Sequence, residues 1–321
     1  MKKLNYLLIL TAIISVVVAC GPDDDTTRIS ERDRSEVDAE DQIKLQEYLN
    51  SHFWNYEEYA THPAGADFEI KLDSLVGVNA NKTPLSQQVT SSILTREGID
   101  YTIYTLNVRQ GGGATSPTFA DSALVSYKGY RLDKELVSED PDVYDQVVFD
   151  ASVNAVWFDL PSVVSGFMEG VSQFNGAASI TPQADGTLSY NDSGVGAVFM
   201  PSGVGYFSSA RSNIPSYSPL IFTFQLRAAK TTDHDGDGVF SKFEDLNGDR
   251  NLRSLDNADN TDEDLVGRFD YLDADDDNDG VLTKDEDPDP NGDGDPSDAR
   301  DTDGDTIPDY LDADTAIVPT T

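Results

Sequence analysis

Two stretches in the middle of the chain carry the clearest periodic patterns of apolar residues. The first begins at residue 163, where apolar side chains at three- and four-residue steps predict a short amphipathic helix. These apolar positions are Val164, Phe167 or Met168, and Val171. Gly166 and Gly170 lie within the helix, where glycine is about 1 kcal/mol less favourable than alanine. We therefore expect both glycines to allow close approach of a neighbouring element.

The second stretch, residues 220–226, predicts a half-buried strand because apolar side chains occupy every second position. These positions are Leu220, Phe222, Phe224 and Leu226. Between the helix and this strand, residues 201–207 form a glycine-rich loop that carries Tyr206. The loop thus presents an aromatic hydroxyl between two apolar elements.

The N-terminal half predicts a mixture of helix and strand. Apolar residues at helical spacing predict a short helix from about Asp38, followed by an aromatic cluster of Trp54, Tyr56 and Tyr59 that is typical of packing. Strands are predicted at residues 68–72, 90–94 and 101–109. Residues 110–113 are a glycine-rich turn, and a phosphate-binding role is disfavoured because the turn precedes no helix and lacks a Gly-Lys-Ser/Thr sequence.

Five ordered motifs make residues 103–230, roughly 40% of the chain, resemble FKBP-type peptidyl-prolyl isomerases. The motifs are a strand at 121–129, the Phe149-Asp150-Ala151 triplet, the helix at 163–171, the loop at 201–207, and the segment 214–222. The resemblance implies an α+β fold in which an antiparallel half-barrel sheet wraps around a short helix. It also implies cis–trans isomerisation of Xaa-Pro bonds in unfolded or exported polypeptides.

The resemblance also implies which residues form the site. Because isomerisation breaks no covalent bond, the reaction requires no nucleophile, metal or cofactor, only an apolar socket for the proline ring and a few polar contacts. Asp150 and Tyr206 are expected to supply those polar contacts. The socket is expected to consist of Tyr127, Phe149, Val163, Val164, Phe167, Ile214 and Phe222. Phe167 stands where the family usually has tryptophan, so a shallower floor and lower activity are expected.

Two other interpretations of these residues stay open. The aromatic side chains would also suit the plain core of a half-barrel. Alternatively, the fold would serve as a catalytically weak binding module on a calcium-dependent adhesion stalk. The three histidines, His52, His62 and His234, have unlike neighbours and predict neither a Ser-His-Asp arrangement nor a zinc site.

The N-terminus has the pattern of a lipoprotein signal peptide. Lys2 and Lys3 precede a short apolar run, and residues 17–19 are small or apolar residues before Cys20, which is the only cysteine. We expect Cys20 to carry a lipid that anchors the chain in the cell envelope, at the outer membrane or surface of a Gram-negative bacterium. The acidic run at residues 23–25 resembles a surface-export signal. The alternative is an ordinary secretory peptide with an incidental cysteine.

The C-terminal quarter is strongly acidic. Residues 233–314 contain 30 Asp and Glu against 6 Lys and Arg, within a chain whose net charge is −37. A disordered acidic tail is the usual meaning of such a composition, and it disfavours nucleic acid as a partner. However, residues 233–244 and 275–286 both match the calcium-loop pattern D-x-[DN]-x-[DN]-G-x₅-E completely. These matches predict structural Ca²⁺ that supplies much of the folding energy of the tail.

A third acidic segment, residues 301–312, follows the pattern of thrombospondin type 3 repeats, except that Thr306 replaces a glycine. Residues 269–275 also recur nearly unchanged at 308–314, a repeat offset by 39 residues. The tail therefore resembles such repeats more than true EF-hands. The predicted ligands are Asp233, Asp235, Asp237, Val239 and Glu244; Asp275, Asp277, Asp279, Val281 and Glu286; and Asp301, Asp303, Asp305, Asp309 and Asp312.

The sequence thus predicts five segments. They are a signal peptide (1–19), a tether (20–37), an accessory α+β segment (38–102), an isomerase-like domain (103–230) and a calcium-binding tail (231–321).

Overall fold

The computed structural model describes residues 31–134, 144–253, 258–261 and 268–315. The predicted signal peptide, Cys20, the acidic run at 23–25 and most of the tether lie outside these residues. No helix of the described ranges is both long enough and apolar enough to span a membrane. The described α-helices are α1 (Arg34–Ser51), α2 (Tyr56–Ala60) and α3 (Ser165–Ser172).

The described strands form one large antiparallel sheet and two small two-stranded antiparallel sheets. The strands are β1 (His52–Trp54), β2 (Leu72–Ser74), β3 (Thr90–Arg96), β4 (Ile99–Arg109), β5 (Ser122–Asp133), β6 (Asp145–Asp159), β7 (Ser179–Pro182), β8 (Leu188–Asn191), β9 (Gly194–Met200) and β10 (Leu220–Lys230). The large sheet has the order β3-β4-β9-β10-β5-β6, and β1 pairs with β2 and β7 with β8.

Helix α3 packs against one face of the large sheet and forms the main core. Phe167, Met168 and Val171 are buried there together with Phe222 and Phe224 of β10. The α+β class is confirmed, and so is the antiparallel sheet around a short helix that the FKBP resemblance implied.

The two glycines of α3 account for how closely the helix lies on the sheet. A Cβ atom added at Gly170 would lie 2.7 Å from the Val198 Cβ, and one at Gly166 would lie 2.6 Å from the Met200 sulfur. Such contacts are too short for a real side chain. Glycine is therefore required at both positions where α3 touches β9, which agrees with the close approach expected from the sequence.

The opposite face of the sheet is also covered, which corrects the expectation of a half-buried β10. Ile221, on the face away from α3, is fully buried in a second core formed with Leu45, Tyr48 and Leu49 of α1. The alternation at 220–226 correctly identifies the face toward α3. It does not show that the N-terminal segment covers the other face, because that cover comes from residues distant in sequence.

The N-terminal elements differ in extent from their predictions. Helix α1 begins at Arg34 rather than near Asp38, because the Asp33 carboxylate caps it by accepting a hydrogen bond of 3.0 Å from the Glu36 amide. Strands β3 and β4 confirm the predictions at 90–94 and 101–109. The strand predicted at 68–72 is wrong: pairing with β1 begins only at Leu72, while Phe68 and Ile70 are buried as irregular chain in the second core.

The described part of the acidic tail consists of loops and short 3₁₀ turns that pack on the sheet domain. The Thr232 amide donates to Asp121 at 3.2 Å, and the Ser122 amide donates to the Thr232 hydroxyl at 3.1 Å. Further along, Leu252 and Tyr271 form a small buried cluster with Ala120. The tail is therefore continuous with the sheet domain in packing.

Candidate functional site

A cavity of about 530 Å³ opens between α3, the β5–β6–β10 edge of the sheet and the 201–207 loop. Its floor is aromatic: the ring centroids of Phe167 and Phe222 lie 4.9 Å apart, and those of Phe149 and Phe222 lie 5.6 Å apart. Tyr127 and Phe158 continue this surface, with a centroid separation of 5.3 Å. Phe167 is 3% exposed and Phe222 6% exposed, so both rings belong to the core as well as to the cavity floor.

The polar groups of this cavity lie at its edge. The Tyr127 hydroxyl donates to an Asp150 carboxylate oxygen at 2.5 Å, and the other oxygen accepts from the Ala151 amide at 2.9 Å. Burial, followed by the adjacent Asp150 carboxylate, raises the pKa of Tyr127 well above its ordinary value. Tyr127 is therefore a permanent donor at neutral pH, and Asp150 is held in one orientation.

Tyr206 and Arg211 form the opposite edge. The Arg211 guanidinium carbon lies 4.9 Å from the centroid of the Tyr206 ring, a geometry suited to a cation–π contact. Both residues line the cavity. The cavity therefore has an aromatic floor flanked by one acidic and one basic edge.

Helix α1 holds the loop that carries Tyr206. The buried carboxylate of Asp41 accepts from the Ser202 amide at 2.9 Å and from its hydroxyl at 2.5 Å. Gly203 lies so close to Tyr101 that an added Cβ would approach the ring to 2.2 Å. The predicted accessory segment thus positions one side of the cavity.

Eight of the nine predicted site residues line this one cavity: Tyr127, Phe149, Asp150, Val163, Val164, Phe167, Tyr206 and Phe222. The ninth, Ile214, is not among the cavity-lining residues; it is 4% exposed and belongs to the neighbouring core. Sequence reasoning missed Phe158, Arg96 and Asn251, which also line the cavity. Phe158 lies on a strand and was detectable as an aromatic residue, whereas Arg96 and Asn251 belong to segments outside the resemblance.

The acidic tail brings carboxylates together in four described clusters, within each of which ligand atoms lie no more than 4.8 Å apart. The most buried cluster joins Asp235, Asp237 and Glu244 of the first predicted loop to Asp276 of the second. Both carboxylate oxygens of Glu244 and of Asp276 are buried and have no hydrogen-bond partner among the described residues. Burial and the neighbouring carboxylates raise the pKa of Glu244 to about 10 and that of Asp276 to about 11.

This first cluster differs from its prediction in one ligand. Asp233 does not join the cluster; its carboxylate accepts from the backbone amides of Gly236 at 2.7 Å and Gly238 at 3.2 Å. Asp276 takes the fourth place, because the two loops pack against each other. Val239, the predicted carbonyl ligand, is fully buried in the same loop.

The second loop forms its own cluster from Asp275, Asp277 and Asp279, and Glu286, the fourth carboxylate predicted with them, is not among the residues of that cluster. Glu286 is 1% exposed, and its two carboxylate oxygens have no hydrogen-bond partner in the described ranges. Burial, followed by Asp277 and Asp279, raises the pKa of Glu286 to about 8. Val281 is half-buried in this loop, and its amide donates to Asp279 at 2.6 Å.

The third predicted set is divided. Asp301, Asp303 and Asp305 cluster, but all three are exposed. Asp309 is 1% exposed and accepts from the Thr302 amide at 2.7 Å, while Asp312 accepts from the Asp314 amide at 3.1 Å. These last two residues are thus outside the cluster to which the sequence assigned them.

A fourth cluster was not predicted. It joins Asp245, Asp249 and Asp259, and no motif spacing relates the third residue to the first two. All four clusters offer only oxygen ligands, which suits Ca²⁺ better than zinc or copper. Buried carboxylate oxygens without donors fit a bound cation, because they would otherwise be desolvated and unpaired.

His234 lies between Ser241 and Asp159, at 2.8 Å from the serine hydroxyl and 2.9 Å from the carboxylate. This order of side chains resembles a hydrolytic triad. However, Ser241 is fully buried and its hydroxyl already accepts from the His234 amide at 3.2 Å. The arrangement therefore connects the tail to β6 and gives no access to a substrate.

Part of the acidic tail matches a model of a known protein family. Residues 234–298 match the family model described as BamM C-terminal. No curated protein matches the chain in sequence. The likeness of the tail to thrombospondin type 3 repeats stays a prediction.

Solved structures of FKBP-type proteins resemble the chain at low identity. A peptidyl-prolyl cis-trans isomerase from Pseudomonas syringae pv. tomato is 16% identical with a TM-score of 0.34, covering 63% of this chain and 98% of its own. FkpA from Escherichia coli is 18% identical with a TM-score of 0.33, covering 61% of this chain and 62% of its own. The N-terminal domain of FKBP42 from Arabidopsis thaliana is 11% identical with a TM-score of 0.31, covering 44% of this chain and 92% of its own.

Proposed function

We propose that the aromatic cavity binds proline-containing segments of unfolded or exported polypeptides and accelerates their cis–trans isomerisation. The observation that carries this proposal is the convergence of eight motif residues on one cavity with an aromatic floor and polar edges. These residues come from three strands, helix α3, the two residues before that helix and the 201–207 loop, so only the folded chain brings them together.

The chemistry needs positioning and desolvation rather than covalent catalysis. Rotation about an Xaa-Pro bond crosses a barrier of ~18–20 kcal/mol because amide resonance is lost, and the uncatalysed process takes tens to hundreds of seconds. A proline ring seated on Phe167 and Phe222 would lose water around its amide, which favours the less polar twisted state. Tyr127 and Asp150, fixed by their mutual hydrogen bond, would orient the chain on either side of that bond.

The remaining parts of the proposal concern the acidic tail and the anchor. The buried carboxylate clusters support structural Ca²⁺ in the tail, held by Glu244 and Asp276 among others. A lipid on Cys20 would hold the protein in the cell envelope of a Gram-negative bacterium. Both are inferred from the residues and are independent of the function of the cavity.

The direct test is exchange NMR of a short peptide containing Leu-Pro, with and without the full chain. We expect faster exchange between the cis and trans resonances. Asp150→Ala and Tyr206→Phe should each slow this exchange, while Tyr190→Phe, a tyrosine outside the cavity, should leave it unchanged. NMR avoids a coupling protease, which would attack the tail at low calcium.

Two results would count against catalysis. No acceleration by a chain shown to be folded by circular dichroism would end the enzyme proposal. Peptide binding to the cavity without acceleration would support the binding-module alternative instead.

A further inference from the structure

Residues 245–252, which we call the rim loop, connect the acidic tail to the aromatic cavity. Asn251 lines the cavity together with Arg96 of β3. Leu252, the next residue, is 2% exposed and packs with Ala120 in the small cluster beside β5. The tail therefore supplies part of the cavity wall.

Two cationic side chains fasten the rim loop to the sheet domain. The Arg96 guanidinium donates to the Asp249 carbonyl at 3.0 Å and to the Arg250 carbonyl at 2.9 Å. Arg250 in turn lies 2.8 Å from a Glu169 carboxylate oxygen of α3, close enough for an ion pair although the contact is not aligned as a hydrogen bond. Arg96 holds residues 249 and 250, and Glu169 holds residue 250 as well. The conformation of these two residues therefore decides where Asn251 lies.

The same two residues are held from the other side by an acidic cluster. Asp245 accepts from the Asp249 amide at 3.1 Å and from the Arg250 amide at 2.9 Å. Asp245, Asp249 and Asp259 bring ligand atoms within 4.8 Å of one another. Three carboxylates at such distances repel one another unless a cation or protons intervene.

Asp259 supplies an independent sign of a ligand. It is 1% exposed, and one of its oxygens accepts from the Leu246 amide at 2.9 Å. Its second oxygen is buried without a hydrogen-bond partner in the part of the chain that the structure describes. A desolvated, unpaired carboxylate oxygen beside two further carboxylates is the arrangement that a calcium ion satisfies.

We propose that Asp245, Asp249 and Asp259 hold a Ca²⁺ ion, and that this ion fixes the rim loop against Arg96 so that ligand binding in the aromatic cavity depends on calcium. The calcium site and the position of the rim loop are inferred from geometry alone. The effect on peptide binding rests on the proposed function of the cavity.

The coupling has a direct physical basis. Without the ion, repulsion within the cluster favours separation of Asp245 and Asp249, which shifts the carbonyls that Arg96 contacts. The ion binds the docked loop better than the released loop and therefore shifts the population toward the docked form. By linkage, a peptide that prefers the docked form must raise calcium affinity by the same factor, and couplings of this kind are typically 5- to 150-fold.

The experiment uses the full chain and two readouts. The first is hydrogen exchange of residues 245–252 and of the β3 end near Arg96, in millimolar Ca²⁺. Asp259→Asn should lower protection there toward the level that the wild type shows in chelator. Asp285→Asn, at an exposed position outside the four clusters, should match the wild type. If Asp259→Asn misfolds, Asp249→Asn changes an exposed member of the same cluster and should have the same effect.

The second readout is the affinity of a Leu-Pro tetrapeptide, measured by NMR titration in millimolar Ca²⁺. We expect the affinity of Asp259→Asn to be about 5-fold or more below that of the wild type and of Asp285→Asn. Unchanged protection in both cluster variants would overturn the calcium site, and altered protection with unchanged peptide affinity would overturn the coupling. If the wild type binds no peptide, the proposed function of the cavity fails, and hydrogen exchange alone decides the inference about the rim loop.

Discussion

Replacing Asp276 with asparagine should stabilise the tail without calcium and weaken it with calcium. Asp276 is 1% exposed, and neither carboxylate oxygen has a hydrogen-bond partner among the described residues. Burial, followed by the charges of Asp237 and Glu244, raises its pKa from 3.8 to about 11. Asparagine has nearly the same shape as the protonated acid but carries no titratable proton, so the substitution removes mainly the free-energy cost of protonating the buried group.

The magnitude follows from proton linkage. Because the folded pKa is raised, the metal-free folded state binds a proton that the unfolded state has lost, and stability falls as pH rises above 3.8. The loss is about 1.4 kcal/mol for each pH unit until the folded pKa is reached. It therefore amounts to about 2 kcal/mol at pH 5 and about 4 kcal/mol at pH 7. Any folded pKa above 7 gives the same value at pH 7, because the group takes up a proton instead of remaining charged.

Urea unfolding of the full chain in chelator provides the assay, with a hydrogen-exchange pulse that reports residues 270–286. Asp276→Asn should be more stable than the wild type by up to about 4 kcal/mol at pH 7, and the difference should shrink toward pH 4. In millimolar Ca²⁺ the order should reverse, because the variant lacks one ligand of the Glu244 cluster. Asp285→Asn, at an exposed position outside the four clusters, is the matched control and should show neither effect.

An Asp276 variant that is no more stable than the wild type in chelator at pH 7 would show that burial of this carboxyl does not destabilise the metal-free tail. An equal response of both proteins to calcium would likewise remove Asp276 from the metal site. A pH-independent difference would mean that the folded and unfolded states bind the Asp276 proton equally, so that folding does not raise the pKa of this carboxyl.

Two further predictions concern the cavity and the anchor. Phe167→Trp should raise the isomerisation rate by deepening the cavity floor, and should lower the free energy of unfolding by roughly 1–3 kcal/mol through overpacking against Phe222 and Phe158. Exchange NMR measures the rate and urea unfolding measures the stability. A slower rate in a folded variant would contradict this prediction. Cys20→Ser should release the protein from membranes or leave it as an unprocessed precursor, as measured by membrane fractionation. A processed variant that stays membrane-bound at the wild-type level would exclude the lipid anchor.

Local patterns in the sequence determined several elements of this protein and many of the side chains that line its cavity. Periodicity placed helix α3, strands β3 and β4, and the face of β10 toward the core, because an element of fixed geometry repeats its buried positions every few residues. The motifs identified eight cavity-lining side chains because each motif is a contiguous stretch of sequence. The family resemblance then indicated that these stretches meet at one site. The acidic spacing identified two loops whose carboxylates do cluster.

Only the tertiary structure decided which distant segments complete these sites. Asp41 holds Ser202 across 161 residues of chain, Asp276 enters the cluster of another loop, and Asn251 of the tail reaches the cavity wall. These contacts depend on how whole elements pack, and a carboxylate on a loop has the same local sequence pattern whichever partner it meets. Burial of an unpaired oxygen, as at Asp259, is likewise a property of the packed molecule, because residues from several segments must first exclude water from it.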